Sequence, residues 1–370
     1  MAECDIAVIG GGVVGMAVAV GLVRRGQRVI VFDEGDRAFR ASRGNFGLVW
    51  VQGKGDGLRD YAVWTRRSAA LWPAMAADLH KETGIDVQLA QPGGLFICLD
   101  EDELAARADT LAKMRRDFDG DYPFEVLDRR ALAALVPDIG PGVAGATYCP
   151  EDGHVNPLRL LQALHDVFGH RGGRLINGET VSGIDHRAGA FTIATGTGSW
   201  SAGKVVLAAG LGNSQLAPLV GLAAPVRPNR GQVMVSERVR PFLPYPTGHI
   251  RQTGEGSVQL GDSKEDVGFD DGTTLETMTA IAHRAVATFP LLKGVRMVRA
   301  WGALRVMTPD GFPIYEESAA CPGAFVVTCH SGVTLAAAHA DPLAGWIVGE
   351  PQPFDSKVVS GDRFDVQAVA

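Results

Sequence analysis

"DIAVIGGGVVGMAVAVGLVRRGQRVIVFDEG", residues 5–35, contains eighteen consecutive uncharged residues, from Ile6 to Val23. A membrane anchor, a secretion signal, and the first strand and helix of a nucleotide site can each contain such a run. A signal peptide carries a basic stretch before its apolar core, and a spanning helix needs about 20 apolar residues without repeated glycines. Here Glu3 and Asp5 precede the run, and Gly10, Gly11, Gly12, Gly15 and Gly21 interrupt it. The stretch therefore reads as an apolar strand from Ile6 to Ile9, a glycine turn, a small-residue helix, and a second strand from Val29 to Phe32. That is a βαβ unit.

With 370 residues the chain suggests two domains, one of which can be inserted in the other. Hydrophobic residues make up 46% and charged residues 21%, enough apolar material for a buried interior in a globular, soluble protein. The net charge of -7, from 35 basic and 42 acidic residues, gives no broad cationic field and argues against a nucleic-acid partner. Cys4, Cys98, Cys149, Cys321 and Cys329 are odd in number and form no CxxC pair, so neither a metal site nor a disulfide framework is expected. The expected compartment is the cytoplasm, without stable membrane insertion.

The motif Gly10-x-Gly12-x-x-Gly15 follows a strand and opens a helix, the context a dinucleotide fingerprint requires. Gly10 permits the tight turn, Gly12 lets a pyrophosphate approach the backbone, and Gly15 lets helix and strand pack closely. Amides at the helix start then face the phosphates. Asp33 ends the second strand about 20 residues on, where a carboxylate can take ribose hydroxyls and disfavours a 2′-phosphate. The bland alternative is a structural glycine turn, and the motif alone does not separate NAD from FAD.

Just beyond lies "ASRGNFGLVWVQ" (41–52), whose Ser42, Arg43 and Asn45 offer hydroxyl, guanidinium and amide donors beside a phosphate. Gly47 there would let a flat ring pass closely; the alternative is a polar surface loop. A second signature, "GKVVLAAGLGNSQLAPLVG" (203–221), reads as a buried strand from Val205 to Ala208, Gly210 and a helix ending near Gly221. The segment 179–202 before it has the turn signals of a small β-meander. A third, "RAWGALRVMTPDGFPIYEE" (299–317), is followed by a strand from Phe325 to Thr328, a His-Ser-Gly turn and a long small-residue helix. A helix start there would aim its dipole at whatever lies beside Ser331 to Thr334.

In this order, with "DGHVNPLRLLQAL" (152–164), "RGQ" (230–232) and "LRVMTPDGFPI" (304–314), the pieces resemble the FAD-dependent D-amino-acid oxidase superfamily in its glycine and sarcosine oxidase branch. The likeness covers nearly the whole chain. "ASRGNFGLVWVQGKG" and "CHSGVTLAAAHA" look most like the β chains of bacterial opine oxidases and D-hydroxyproline dehydrogenases. The resemblance implies a doubly wound α/β Rossmann-type FAD domain assembled from residues 1–60, 150–217 and 296–370. It further implies an α+β substrate domain with a mostly antiparallel sheet, from 61–149 and 218–295, in which 246–269 helps to roof the flavin. FAD would be held by Gly10, Gly12, Val13, Val14 and Gly15, by Asp33 and Glu34, and by Ser42, Arg43, Asn45, Gly47 and Leu48. Val181, Ala209 and Gly210 would complete its nucleotide side. His330, Ser331, Gly332, Val333 and Thr334 would meet the flavin, with backbone amides stabilising negative charge at N1 and O2. An isolated histidine such as His330 also reads as a packed structural residue.

Amine oxidation by a flavin needs orientation more than a strong base, and no Ser/His/Asp constellation is evident. A substrate carboxylate needs a guanidinium, which grips it with two prongs. Arg305 matches the arginine that serves this purpose in the glycine-oxidase-like motif; the alternative is an ion pair with Asp310 or a surface carboxylate. The motif normally continues with proline, whereas Val306 follows here, which puts the aim of Arg305 in question. His249 and Arg251 are second candidates. The positions after Arg305 hold Val306, Met307 and Thr308, with no cysteine to attach FAD, so non-covalent FAD is expected. The reading is oxidative deamination of a small amino acid or secondary amine, such as D-hydroxyproline, an opine, sarcosine or glycine. A 2-hydroxy-acid oxidase, and a flavin electron-relay chain in a hetero-oligomer with other redox chains, remain as alternatives.

Overall fold

The computed structural model describes residues 3–35 and 41–364. The opening run forms a strand, Cys4–Ile9, a helix, Val13–Arg24, and a second strand, Val29–Asp33. These join an eight-stranded sheet whose main path runs Ile314–Glu317, Ala324–Thr328, Gly198–Leu207, Cys4–Ile9, Val29–Asp33, Arg174–Asn177. Every neighbour along it is parallel except Ile314–Glu317, an antiparallel edge. Gly198–Leu207 outruns its parallel neighbours, and its first residues pair antiparallel with Ala190–Thr195, which pairs in turn with Val181–Arg187. Residues 179–202 therefore form the expected meander.

Side chains alternate between the faces of a strand, so one strand serves two cores. Ile6 and Val8 pack under the helices Val13–Arg24 and Pro157–His170 and the C-terminal helical run. Ala7 and Ile9 face the other way, against Phe191 and Ile193 of the meander and Val220. Pro157–His170 starts where Asn156 accepts hydrogen bonds from the amides of Leu158 and Arg159, with proline at its first position.

The helix expected after residue 328 is neither unbroken nor begun at Ser331. It runs as Ala336–Ala338, a π-helical turn His339–Leu343, and Ala344–Ile347. Pro342 lies inside the wide turn and has no amide to donate, so the regular ladder cannot pass through it.

The second sheet is antiparallel throughout, in the order Ile250–Gln252, Ser257–Leu260, Arg227–Arg238, Met297–Met307. Its inner face shares a core with a three-stranded antiparallel sheet of Gly94–Cys98, Gly145–Cys149 and Glu125–Asp128, through Leu95, Ile97, Ala146, Met234 and Leu260. Met297–Met307 leads the chain from this sheet back to the edge of the large one, and Arg305 lies on it. Val306 keeps its amide, and the ladder opposite Pro228 continues to Met307. No helix of the described residues is long and apolar enough to cross a membrane.

Gly21 sets the spacing between the first helix and the C-terminal run. A Cβ there would sit 2.3 Å from the Ala340 carbonyl oxygen and 2.5 Å from Ala344 Cβ. Alanine favours a helix interior over glycine by roughly 1 kcal/mol, but a packed backbone carbonyl cannot turn aside. Gly21→Ala is expected to destabilise by about 1–3 kcal/mol, as overpacking does. A urea midpoint lowered at unchanged slope would register it.

Candidate active site

The glycine turn is packed too closely on its own backbone to take side chains. Gly10 has φ +116°, and a Cβ on it would lie 2.4 Å from the Ala208 carbonyl oxygen; a Cβ on Gly15 would lie 1.9 Å from that of Gly10. Gly12 caps the helix with no side-chain bond, and Val13 follows as its first residue. The Val13 amide already donates to Ser42 Oγ at 2.9 Å, so the hydroxyl stands at the helix mouth and that amide is not among those open to a phosphate. Asp33 accepts from Gly11 N at 2.6 Å and Gly35 N at 2.9 Å. A carboxylate has about four lone-pair sites, so these bonds orient Asp33 without exhausting it. Glu34 beside it is exposed, as is Arg43, whose charge reaches His165; His165 in turn contacts the Gly11 carbonyl at 3.2 Å.

The loop 42–47 is pressed between the two sheets. Trp301 donates to the Gly44 carbonyl at 3.1 Å, and Asn45 Oδ1 accepts from Gly47 N at 2.7 Å. The room at Gly47, φ +90°, is taken by the Val155 carbonyl and Arg251, which a Cβ would meet at 2.5 and 3.0 Å. Leu48–Val49 then pairs with Gly153–His154. Thr334 Oγ1 donates to the Leu48 carbonyl at 3.2 Å and accepts from Trp50 N at 3.1 Å, so the His-Ser-Gly turn and this loop are one unit. Gly332 lies on Val14, Val333 is buried, and Ser331 Oγ accepts from the Tyr61 hydroxyl at 3.1 Å. Val181 opens the meander, and Ala209 donates to Asn213 Oδ1 at 2.9 Å. Gly210, φ +59°, turns beside Val306.

Next along the loop, Asp152 is fully buried and accepts from Val51 N at 2.5 Å, Gln52 N at 3.1 Å and Gln52 Nε2 at 2.7 Å. Burial pushes its carboxyl up to about 7 in spite of those bonds. Two residues beyond Gln52, Lys54 lies deep in the molecule yet keeps accessible surface, as a residue facing an internal recess does. Its Nζ is 3.4 Å from His330 Nδ1. Burial first, then the positive charge of Lys264, brings the Lys54 ammonium down to about 8, against the opposing pull of Asp262. His330 is held well below the usual histidine range by burial and by the charges of Lys54, Arg305 and Lys264.

Arg305 joins this cluster. Its Nη1 donates to Asn229 Oδ1 at 3.0 Å and the Arg230 carbonyl at 3.1 Å, and its Nη2 pairs with Asp262 at 2.5 Å. Nε–H and one Nη2–H stay uncommitted among the described residues. Its carboxylate is thus Asp262 and not Asp310, which pairs with Arg363 at 2.8 Å. The loop carrying Asp262 and Lys264 is fastened by Arg230, through Glu265 at 2.7 Å and Asp270 at 2.5 Å, and by Gln232 Nε2 to Glu265 at 3.0 Å. His249 packs on Phe96; burial and then Arg284 bring it down to about 4, and Asp262 and Lys264 also act on it. Arg251 is occupied elsewhere: Nε donates to the Phe46 carbonyl at 2.5 Å and Nη1 contacts His154 Nδ1 at 3.1 Å. Burial brings Arg251 down to about 10 and His154 to about 4.

The chain that carries this glycine turn, clamped loop and charge cluster has relatives among known proteins. Residues 5–346 match FAD dependent oxidoreductases, the DAO family. The chain belongs to that family. It is 42% identical over 368 residues to one of the opine oxidase subunits of Agrobacterium tumefaciens (strain Ach5) and 41% identical over 368 residues to its counterpart in the opine oxidase of Rhizobium meliloti, covering 99% of both chains in each case. The solved glycine oxidase from Geobacillus kaustophilus superposes with a TM-score of 0.90 at 26% identity, covering 97% of this chain and 98% of that one. The chain is an FAD-dependent oxidoreductase, and its tight glycine turn, with no room for a Cβ at Gly10 or Gly15 against the neighbouring backbone, fits a dinucleotide site.

The structure thus brings Arg305, His249 and His330 around one set of charges and places Arg251 against the loop at Phe46 and His154. Sequence reasoning missed Lys54, Asp262 and Lys264. A lysine between two glycines, Gly53 and Gly55, directly after an apolar segment is a signal for the first; nothing local marks the others. An open cleft lined by Glu316, Trp346, Lys357 and Arg363 lies at the outer edge of the large sheet and shares no residue with this set.

Gly231 lets the Arg305 guanidinium lie across the neighbouring strand, since a Cβ there would be 2.2 Å from Arg305 Nη2. Gly231→Ala is expected to push the guanidinium aside while leaving the fold intact. Misplacement of that kind lowers kcat/KM for a carboxylate-bearing amine by roughly 10- to 100-fold. Steady-state kinetics at matched FAD content would measure it, and normal turnover would mean that the position of Arg305 does not matter.

Proposed function

We propose that the chain dehydrogenates a small amino acid or secondary amine of the D-hydroxyproline, opine, sarcosine or glycine type. The observation that carries this reading is Arg305, held on one side by Asn229, the Arg230 carbonyl and Asp262, with its remaining donors uncommitted among the described residues. Bound FAD supplies the acceptor, N5, for the hydride equivalent leaving the substrate Cα–H. Arg305 grips the carboxylate and fixes where that Cα–H points. Backbone amides of the turn at His330, Ser331, Gly332, Val333 and Thr334 would stabilise negative charge on the bound flavin. Gly10, Gly12, Val13, Val14, Gly15, Asp33, Glu34, Ser42 and Arg43 hold the nucleotide, with Asn45, Gly47, Leu48, Val181, Ala209 and Gly210 around it. His249 lines the substrate side, and Arg251 supports the loop beneath.

The division into an FAD part (1–60, 150–217, 296–370) and a substrate part (61–149, 218–295) belongs to the same proposal; its residues 1–2, 36–40 and 365–370 lie outside those described. Both opine oxidase relatives are named as single subunits of larger enzymes, which supports a hetero-oligomer with further redox chains.

Anaerobic addition of sarcosine, D-proline, D-hydroxyproline, opines and 2-hydroxyglutarate to the purified chain tests the reading. Bleaching of the flavin by an amine is the expected result; bleaching by the hydroxy acid alone would favour a 2-hydroxy-acid oxidase, and none at all an electron-relay chain. Acid precipitation should release all the flavin, because no cysteine follows Arg305 at positions 306–308.

Arg305→Lys keeps the charge and removes the two-pronged grip. The expected loss in kcat/KM is about 2–4 kcal/mol, roughly 30- to 1000-fold, with FAD content unchanged. Near-normal turnover on a carboxylate substrate would rule the role out.

A further inference from the structure

The fold brings Lys54 into contact with the His-Ser-Gly turn: its Nζ lies 3.4 Å from His330 Nδ1, and Ser331 Oγ lies 3.5 Å from the same nitrogen. The backbone leaves it little choice of position. Lys54 N donates to the Val51 carbonyl at 2.9 Å, and Val51 and Gln52 are tied to Asp152. Three other elements face it with charge or titratable groups. The loop after Ser257–Leu260 presents Asp262 and Lys264, the strand Met297–Met307 presents Arg305, and the turn after Ala324–Thr328 presents Cys329 and His330. Asp262, the one carboxylate among them, is already paired with Arg305. Among the described residues Lys54 thus has no carboxylate of its own, while its recess is shared with the residue proposed to hold the substrate.

An amine must shed its ammonium proton before its Cα–H can leave as hydride, because the nitrogen lone pair has to stabilise the developing cation. Resting on the function proposed above, we infer that Lys54 is the catalytic residue that accepts this proton. The lone pair of the Lys54 amine forms a new N–H bond as the N–H bond of the substrate breaks, and the substrate nitrogen keeps its electron pair. No redox change accompanies the step, and the proton passes to bulk water on turnover. His330 Nδ1, kept neutral by its surroundings, accepts a hydrogen bond from Lys54 and aims it. The buried amine, brought down to about 8, has a substantial neutral fraction near neutrality, which an exposed lysine lacks.

The experiment follows anaerobic flavin bleaching in the FAD-loaded chain as a function of pH for the wild type, Lys54→Met, Lys54→Arg and Lys54→Ala. The wild type should lose rate below an ionisation at about 8. In Lys54→Met the rate near pH ~7 should fall roughly 100-fold and recover towards pH ~10, where the substrate amine deprotonates unaided. Lys54→Arg retains the charge but cannot take a proton, and should behave in the same way. Added methylamine should rescue Lys54→Ala in proportion to its free-base concentration, by about tenfold or more. A loss uniform across pH, a wild-type profile in Lys54→Met, an active Lys54→Arg, or absence of rescue in a Lys54→Ala protein that retains its flavin would each overturn the assignment. Failure of the underlying function looks different: the wild type itself would then be bleached by no amine.

Discussion

The carboxylate of Asp152 is the constraint from which the active-site arrangement follows. It is fully buried, and burying a carboxylate is costly unless hydrogen bonds replace its water. Val51 N, Gln52 N and Gln52 Nε2 do so, and Gln52 is itself held by Thr147 at 2.8 Å, the Gly94 carbonyl at 3.1 Å and Arg107 at 3.2 Å. One acidic side chain thereby joins the loop leaving the nucleotide cradle to the strands at 94–98 and 145–149 of the other core. Burial still outweighs the hydrogen bonds and raises its pKa, while the bonds themselves hold the loop in place. Lys54, two residues past Gln52, inherits that fixity.

The second organising feature is an imbalance of charge. Lys264 and Arg305 both bear on Lys54 and on His330, with Asp262 as the opposing carboxylate at Lys54. Like charges held together at low dielectric need a counter-charge, and an anion entering the recess supplies it. Burial first, and then this imbalance, lowers the proton affinity of Lys54 and His330, so both nitrogens are more often neutral than in water. Arg251 takes no part in that balance, because its guanidinium is spent on the Phe46 carbonyl and His154.

The βαβ opening, the meander and the buried strand at 324–328 were legible because each is local: a run of apolar residues, a glycine at a positive φ, a turn signal. The His-Ser-Gly turn was legible as a turn, but Pro342 converts the helix after it into a π-helical segment, and a periodicity of small residues does not reveal which turn widens. Arg305 could be found from its motif, while its partner could not. Asp310, five residues away, was the natural candidate from sequence, yet the antiparallel sheet brings in Asp262 from 43 residues upstream. Lys54, Asp262 and Lys264 escaped for the same reason. Their chemistry arises where three separate segments meet, and no spacing within one segment encodes that meeting.

The junction itself explains why the reacting groups collect there. A parallel sheet offers its ligand the ends of its strands and the turn that opens a helix, and these bind phosphates through backbone amides. Such a site holds a cofactor but brings few side chains to its far end. The strand Met297–Met307 adds side chains there, since it pairs with Arg227–Arg238 along its length, sets Val306 beside Gly210 and Trp301 against Gly44 of the 42–47 loop, and carries Arg305. Trp301 fastens that strand to Gly44, and Gly44 has no room for a Cβ against Ala303, so the two sheets cannot separate without losing buried contacts. Arg305 and the contact with the 42–47 loop are therefore carried by one strand, which makes the distance between them a property of the fold and not of a flexible linker.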